Sequence, residues 1–427
     1  MLCIIPSLTA RSDQRRSEKD KVKYQKYQKD QLLKTMKDDL EKKEAAEDKV
    51  TKKINEKYEE IDKKKKDERR IIKYMPDGIK FPTSISDFKS AFHFPPTHQD
   101  YTGNCWCFST ISFFESEVYR STKQKIKLSE LYIVYWEFVE KAIGYVEKRG
   151  NQVFGEGSES DAVVKIMKKY GIVPKLVWDG HRPDNFVYRK EPRYDQRQMF
   201  KEMKTYLETV KSNNMWYKDL IIDHIKVILN SHLGGHPPTN FKYNGTSYTP
   251  ITFLNKVLKL NMNDYYALTS TMKQPFWKQV KFDVPDNWRP TKHYINVPLN
   301  VFYNAIKACT KKGYSLCIGG DVSEPGYNGK YDIATVPTYD IPQGYIDQHS
   351  RELRIENKTT QDDHGIHIVG YMKIDGRDWY LIKDSARSSR KGKFRGYYFY
   401  RDDYVKLKML SIMLHKDTIK NILSKAK

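Results

Sequence analysis

The chain has 427 residues, of which 39% are hydrophobic, and its formal net charge is +22. This length allows one large domain or two ordinary ones, and the charge could attract acidic peptides, nucleic acid or anionic lipid. No basic-region, zinc-finger or RNP pattern accompanies the charge, so we do not expect nucleic acid as a partner. The sequence contains no run of 18 apolar residues and therefore predicts no transmembrane segment.

The first 73 residues fall into two parts. Residues 1–10, MLCIIPSLTA, look like the end of a signal peptide without its basic start, so residues 1–13 are either a signal remnant or a disordered N-terminus. Residues 14–73 lack Pro and Gly and are rich in Lys, Glu and Asp. Their apolar residues recur in steps of three and four, which predicts a charged helical extension with one narrow apolar stripe. The stripe consists of Leu33, Met36, Leu40, Val50, Ile54, Tyr58 and Ile61.

The remaining chain, residues 80–427, reads as one domain that changes from helical to β-rich patterns. Two prolines and a glycine in residues 73–82 mark the boundary. Helices are predicted from Cys105 onward, at 128–150, and at 158–174. Residues 180–300 are mixed, with helical stretches near 195–232 and 252–261. The last third contains alternating, β-rich runs, among them HGIHIVGYMKI and DWYLIKDS, which predict an antiparallel sheet. Helices first and strands last predict an α+β protein.

The sequence HQDYTGNCWCFS raises the question of what Cys105 does. A cysteine nucleophile needs a base, a group that orients the base, and donors for the oxyanion. Cys105 follows the predicted turn at Gly103 and Asn104 and begins a helix, whose dipole favours a thiolate. Cys105 and Cys107 could form half of a metal site, but the sequence offers no second cysteine pair and no clustered histidines to complete it. We therefore predict no metal and interpret Cys107 as a core residue. The five cysteines in all are too few and odd in number for a disulfide framework.

The order of these motifs resembles the papain superfamily of cysteine peptidases. Gln99 precedes Cys105 by six residues and Trp106 follows it, as in that family. DDHGIHIVGY resembles the segment of the family's catalytic histidine, here His364, and LIKDSARSS places Asp384 where the family has an Asn that orients it. The resemblance implies a papain-like fold of two subdomains, one a helical half and the other an antiparallel β half, with no cofactor.

Within the superfamily the chain is most similar to the bleomycin hydrolase and aminopeptidase C branch. The gap from Cys105 to His364 is 259 residues, whereas papain itself has about 130–150. The extra length falls in residues 180–300, where the branch carries a helical insertion, and LCIGGDVSE resembles a strand and loop of that branch. The branch inserts its C-terminal tail into the cleft and trims peptides from the N-terminus. The resemblance therefore implies peptide substrates, a cytoplasmic location and a homo-oligomer. Export to the periplasm or beyond is the alternative if residues 1–10 end a signal peptide.

The resemblance also implies a role for each site residue. Cys105 is the expected nucleophile, His364 rather than His367 the general base, and Asp384 the group that orients the imidazole. Gln99 and the Cys105 amide would hold the oxyanion. The substrate-binding group is expected to contain Gly157, Ser158, Trp106 and Asp363. Of these four, Trp106 is expected to act through packing, and Asp363 either tunes His364 or is a solvated loop acid.

Departures from the family pattern leave other functions open. Asp384 replaces Asn, Ala386 replaces a Trp that shields the histidine contact, and Ser158 replaces a Gly, which would crowd a substrate backbone. The C-terminal tail is also longer and basic. A catalytically weak homologue that binds peptides or proteins through helix 14–73 is therefore one alternative. An enzyme that transfers the acyl group to an amine through the same residues is another.

Overall fold

The computed structural model describes residues 24–28, 30–70, 72–181, 187–188, 191–289 and 291–426. The predictions for residues 1–13 and for the start of helix 14–73 lie outside these described residues. The chain divides into two compact units, Met1–Ile71 and Ile72–Lys427, which we describe separately.

The described part of the first unit is dominated by one helix, α1 (Gln31–Glu68). It begins at Asp30, whose side chain accepts a hydrogen bond from the Leu33 amide at 3.0 Å. This contact satisfies one of the amides that a helix start leaves free. Lys65 and Lys66 lie in the last turn, where the helix dipole favours positive charge. Every residue of α1 is exposed within its unit, including the predicted apolar stripe.

The second unit contains the other helices and the described strands. The helices are α2 (Cys105–Thr122), α3 (Glu130–Glu147), α4 (Ser160–Tyr170), α5 (Arg197–Ser212), α6 (Lys218–His232), α7 (Pro250–Lys256), α8 (Leu299–Lys311), α9 (Gln348–Glu356), α10 (Asp402–Lys408) and α11 (Lys420–Lys425). Short 3-10 helices lie at Ile85–Asp87, Met262–Asp264, Gln343–Tyr345, Ser388–Arg390 and Lys416–Thr418.

The strands form one large sheet and two small hairpins. They are β1 (Lys89–Ser90), β2 (Val187–Tyr188), β3 (Glu191–Pro192), β4 (Phe241–Tyr243), β5 (Thr246–Tyr248), β6 (Tyr265–Thr269), β7 (Lys278–Val280), β8 (Tyr294–Asn296), β9 (Leu316–Gly320), β10 (Tyr327–Asn328), β11 (Ile333–Ala334), β12 (His364–Ile374), β13 (Arg377–Lys383), β14 (Tyr397–Arg401) and β15 (Met409–His415). The large sheet has the order β10-β11-β14-β13-β12-β9-β15-β6-β8-β7, and β1 pairs with β12. It is antiparallel except at β11–β14 and β6–β8.

The α+β prediction is confirmed, but the predicted helical insertion at 180–300 is only partly helical. Helices α5 to α7 lie within it, as the periodicity indicated. Strands β6, β7 and β8 then extend the large sheet beyond β15, through the antiparallel β6–β15 pair. The reason is that the short run at Tyr265–Thr269 is too brief for a helical pattern and pairs with a strand far away in the sequence.

The two faces of the sheet are covered by different elements. Cys317 and Met413 share a core with helices α2 to α7 on one face. Leu316, Ile318 and Ile412 share a core with α8 and α10 on the other. This alternation is what a strand buried on both faces requires.

Helix α2 crosses β12 at very short range, and this contact sets the position of the site. A Cβ on Gly365 would lie 3.2 Å from the Trp106 Cα and 3.2 Å from the Ser109 Oγ. The strand backbone can approach the helix this closely because residue 365 has no side chain. The first residue of α2 and the first residue of β12 are therefore brought to the same end of the unit.

Candidate active site

Cys105 lies at the start of α2 and is partly exposed. The carbonyl of Asn104 accepts hydrogen bonds from the amides of Cys107 and Phe108 at 2.9 and 3.0 Å. The amide of Cys105 precedes the helical ladder and remains available to a ligand, and the helix dipole favours negative charge here. Gly103 shapes the preceding turn, because a Cβ on it would lie 2.7 Å from the Glu156 Cβ.

His364 and Asp384 form a buried pair. His364 Nε2 donates a hydrogen bond to Asp384 Oδ1 at 2.8 Å, and the two residues are 7% and 2% exposed. Burial by itself would lower the pKa of His364. The charges of Asp384 and Cys105, and hydrogen bonds with both, outweigh burial and raise this pKa well above its ordinary value. Burial would likewise raise the pKa of Asp384, but the charge and the hydrogen bond of His364 hold it below its ordinary value.

The imidazole therefore lies between a thiol and a carboxylate. Because Asp384 occupies Nε2, Nδ1 is the ring nitrogen left for the Cys105 thiol. This order favours a thiolate and imidazolium pair, in which the histidine carries a proton that it can deliver to a leaving group.

Gln99 is linked to the histidine and aspartate pair through Ser385. Its side-chain oxygen accepts a hydrogen bond from Ser385 Oγ at 2.7 Å, and its side-chain nitrogen donates to the Thr102 carbonyl at 2.8 Å. Its backbone amide also donates to the Ser385 carbonyl at 3.0 Å. Since Ser385 follows Asp384, these contacts tie Gln99 to the histidine pair and leave its second N–H free for a substrate oxygen.

Tyr327 covers the carboxylate, and the expectation that Ala386 leaves the histidine contact open to water is wrong. The Tyr327 hydroxyl donates to Asp384 Oδ2 at 3.4 Å, and its ring stacks on Tyr398 with centroids 4.3 Å apart. The Ala386 amide donates to Asp384 Oδ1 at 2.8 Å. A tyrosine from β10, distant in sequence, thus covers the carboxylate, whereas the resemblance led us to expect a tryptophan at residue 386 in this role.

Of the residues expected to bind substrate, Gly157 lies near the nucleophile, whereas Ser158 and Trp106 are buried. Gly157 follows Glu156, which contacts Gly103 in the turn that precedes Cys105. Ser158 donates its hydroxyl to Glu137 Oε1 at 2.7 Å and is 7% exposed, so the expectation that it crowds a substrate is wrong. Trp106 is 3% exposed and donates Nε1 to the Glu156 carbonyl at 3.3 Å. A buried indole cannot form a substrate surface, so Trp106 acts through packing and is misplaced in the substrate-binding group.

Asp363 ties together two loops next to His364. Its Oδ1 accepts a hydrogen bond from the Val322 amide at 2.9 Å. Burial and the charge of Asp321 raise the pKa of Asp363 to about 6, although the Val322 contact opposes them. Its contacts are with the chain itself, and they fix the segment that leads into His364.

The described part of the C-terminal tail does not enter the cleft. Ile419 and Ile422 belong to the core on the α8 face of the sheet, whereas Cys105 begins the helix on the opposite face. Lys425 Nζ lies 5.2 Å from the centre of the Trp277 ring. The arrangement that the resemblance implied for this tail is therefore absent in residues 416–426.

The thiols of Cys107, Cys309 and Cys317 and the imidazole of His367 are buried in the core, where they contact other groups of the chain. Cys107 Sγ contacts the Glu130 carbonyl at 3.1 Å, and burial raises the pKa of its thiol well above the ordinary value. Burial also raises the thiol pKa values of Cys309 and Cys317. His367 Nδ1 shares a hydrogen bond with Ser112 Oγ at 2.9 Å, away from the Cys105 thiol. Among the described residues, no cluster of His, Cys, Asp and Glu could hold a metal ion.

Sequence reasoning missed two features of the site. Tyr327 could not be found from a local pattern, because it is 57 residues from its carboxylate partner. Three carboxyls near the cleft, Glu159, Asp286 and Asp362, were also missed. Asp362 had a weak signal in the DDH run before His364.

A helical half and a β half that meet at a helix-start cysteine, with a carboxylate-bound histidine on the facing strand, define a papain-like cysteine peptidase. The chain matches the Peptidase C1-like family over residues 31–426 and belongs to that family. The resemblance predicted from the motifs is thereby confirmed.

The chain is also similar to individual proteins. It is 22% identical over 363 residues to Aminopeptidase C of Streptococcus thermophilus, covering 75% of this chain and 80% of that protein. It is 22% identical over 363 residues to Aminopeptidase C of Lactococcus lactis subsp. cremoris, covering 76% and 81%. The crystal structure of pepw from Lactobacillus rhamnosis HN001 superposes with a TM-score of 0.60 at 18% identity, over 81% of this chain and 86% of that one. In the described part of the chain, we find no helix with the length and apolarity needed to cross a bilayer.

Proposed function

We propose that this protein is a cysteine aminopeptidase that removes residues from the N-terminus of peptides, with Cys105, His364 and Asp384 as its catalytic triad. The observation that carries the proposal is the buried His364, bonded to Asp384 at 2.8 Å and raised in pKa by both Asp384 and Cys105. A histidine held between a carboxylate and a thiol at a helix start is the arrangement that activates a cysteine.

The first half of the reaction forms an acyl-enzyme. The Cys105 thiolate attacks the carbonyl carbon of the scissile bond, and the oxygen takes up the negative charge. The Cys105 amide and the free N–H of the Gln99 side chain donate to that oxygen. His364 then gives its proton to the nitrogen of the leaving amine, the C–N bond breaks, and a thioester remains on Cys105.

The second half releases the acyl group. His364, now neutral, takes a proton from a water molecule, which attacks the thioester carbonyl. The C–S bond breaks, the amino acid leaves as a carboxylic acid that gives its proton to solvent, and the thiolate and imidazolium are restored. Asp384 keeps the ring oriented and stabilises its charged form in both halves.

Two observations support removal from the N-terminus. The relatives described above bear the name Aminopeptidase C and align with more than two thirds of their own length. The buried histidine pair and the Ser158 hydroxyl, which donates to Glu137, support an active enzyme over a weak homologue.

A substrate screen tests the proposal. Wild type and Cys105→Ala would be assayed on aminoacyl coumarylamides with a free amino group and on N-blocked peptidyl coumarylamides. We expect cleavage of the free-amino substrates, loss of that cleavage in Cys105→Ala, and little cleavage of the blocked set. Preferred cleavage of blocked substrates would reject the aminopeptidase, and turnover that persists in Cys105→Ala would reject the nucleophile.

An added amine separates hydrolysis from acyl transfer. If glycinamide in excess is ignored and only free amino acid is released, the enzyme is a hydrolase. The homo-oligomer and the cytoplasmic location stay predictions from the resemblance, to be checked by analytical ultracentrifugation and by cell fractionation.

A further inference from the structure

The loop at residues 281–289 crosses from the sheet to the helical half. It leaves β7, and before β8 begins, Trp288 Nε1 donates to Glu137 Oε1 at 2.7 Å. Arg289 Nη1 donates to the same oxygen at 2.8 Å. Glu137 lies on α3 and is 1% exposed, so this loop is fixed to the helical half through a buried ion pair.

The loop places the carboxyl of Asp286 directly on Gly157. A Cβ on Gly157 would lie 2.0 Å from Asp286 Oδ2 and 2.5 Å from Oδ1. The neighbouring Glu156 packs on Gly103, within the turn before Cys105. The Asp286 carboxyl thus occupies the space over the chain segment that flanks the nucleophile. A substrate that extended along this segment would have to displace it.

The Asp286 carboxyl is available to a ligand. Asp286 is an exposed residue, and no hydrogen bond to its side chain comes from the described residues. The nearby cation, Lys141, is committed elsewhere, because its Nζ donates to the carbonyls of Gly155 and Gly157. Lys141 therefore holds the Gly157 segment in place. Its charge also acts on Asp286, but no hydrogen bond or ion pair joins the two groups among the described residues.

Two further carboxyls, Glu159 and Asp362, interact electrostatically with Asp286. Glu159 is 5% exposed and follows the Gly157 segment, while Asp362 precedes His364 by two residues. Glu159 Oε1 and Asp362 Oδ1 are buried and receive no hydrogen bond from any other group in the described part of the chain. The two carboxyls instead form a hydrogen bond with each other, which requires a proton shared between them. Burial raises the pKa of both carboxyls, and the charge of Asp362 and the hydrogen bond with it raise the pKa of Glu159 further. The charge of Asp286 adds to both rises. Glu159 and Asp362 therefore share a proton beside Asp286, and a cation bound at Asp286 would relieve the repulsion among the three carboxyls.

We infer that Asp286, supported by Glu159 and Asp362, binds the α-ammonium group of the substrate's first residue and closes the cleft beyond it. This inference rests on the proposed function, because it explains how the chain selects a free N-terminus. An ammonium group supplies donors to the Asp286 oxygens and a positive charge beside the Glu159 and Asp362 pair. An internal or acylated residue would instead bring a neutral amide with its carbonyl oxygen against a carboxylate, which is repulsive.

The test compares one amino acid with and without its free amino group. Alanyl coumarylamide and N-acetyl-alanyl coumarylamide would be assayed with wild type, Asp286→Asn and Asp283→Asn. Asp283 is the matched control, since it lies on the same loop and pairs with Lys281 at 3.3 Å. In Asp286→Asn we expect kcat/KM for the free-amino substrate to fall at least about tenfold, mainly through KM, because a charged hydrogen-bond partner is lost. The acetylated substrate should lose nothing, and the control should match wild type.

An unchanged preference for the free amino group in Asp286→Asn would overturn the inference, as would equal use of both substrates by wild type. Glu159→Gln provides a second variant, expected to lower the same preference, and thermal unfolding would verify that each variant is folded.

A binding measurement keeps this test separate from the proposed function. Calorimetry on Cys105→Ala with trialanine and N-acetyl-trialanine needs no turnover. Trialanine should bind Cys105→Ala more tightly than N-acetyl-trialanine does, and this difference should disappear in the double variant that also carries Asp286→Asn. That result supports the inference even if the wild type proves inactive. Equal binding of the two peptides refutes it even if the wild type is an active peptidase.

Discussion

Replacing Asp384 with Asn isolates the charge of the group that orients His364. Asn can keep an oxygen at the 2.8 Å position that accepts from His364 Nε2 and from the Ala386 amide. Its NH₂ would then face Tyr327, whose hydroxyl can rotate from donor to acceptor. The substitution therefore removes the negative charge and retains the shape and the main hydrogen bonds.

The expected effect follows from the balance of contributions to the pKa of His364. Burial lowers this pKa, and the Asp384 charge is the first of the groups that raise it. A carboxylate in contact shifts a neighbouring pKa by about one to three units, or about 1.4 kcal/mol per unit. Because the folded-state pKa is raised, the imidazolium persists to high pH in the wild type. Without the charge, it loses its proton at lower pH.

The measurement is the pH dependence of kcat/KM on an aminoacyl coumarylamide. We expect the basic limb of the profile to move down by about two units in Asp384→Asn, with a loss of less than about tenfold at the optimum. Asp384→Ala should lose about 10- to 100-fold at every pH, because it leaves the buried Nε2–H without an acceptor. A basic limb that stays in place in Asp384→Asn would refute the assigned electrostatic role, as would an Asn variant as poor as the Ala variant.

Three further predictions concern Tyr327, which shields the Asp384 carboxylate, the stability of the fold, and the reactivity of the thiols. Tyr327→Phe should keep kcat/KM within about threefold of wild type, while Tyr327→Ala should lower it at least about tenfold by admitting water; equal losses would mean that the hydroxyl matters more than the cover. Gly171→Ala should lower the free energy of unfolding by more than about 2 kcal/mol in urea, since φ is +74° and a Cβ would lie 2.2 Å from neighbouring backbone. Gly245→Ala, at φ +80° in open space, is the control and should cost only about 1 kcal/mol; equal costs would contradict the steric argument. Of Cys105, Cys107, Cys309 and Cys317, iodoacetamide should label only Cys105 in native protein, as located by peptide mass spectrometry. Labelling at residue 105 should be retained in Cys107→Ala and lost in Cys105→Ala; labelling of Cys107 itself would contradict its burial.

Local patterns in the sequence predicted much of the fold. The helices that begin at Cys105 and Glu130, and the strand that begins at His364, appear within a few residues of the predicted positions. The α+β class and the family were both confirmed. These features depend on periodicity and on caps, which are set by neighbours in the sequence. The strands at residues 265–296 were missed, because their partner β15 lies more than a hundred residues away.

The sequence by itself determined the order and the spacing of Gln99, Cys105, His364 and Asp384, because helix starts and strand starts are local properties of the chain. Only the tertiary structure decided what surrounds them. Tyr327 covers the carboxylate, the tail packs on the opposite face of the sheet, and the loop with Asp286 lies over Gly157. Each of these contacts joins segments remote in sequence. Their positions depend on how the sheet and the helical half pack together, and no short-range pattern encodes that packing.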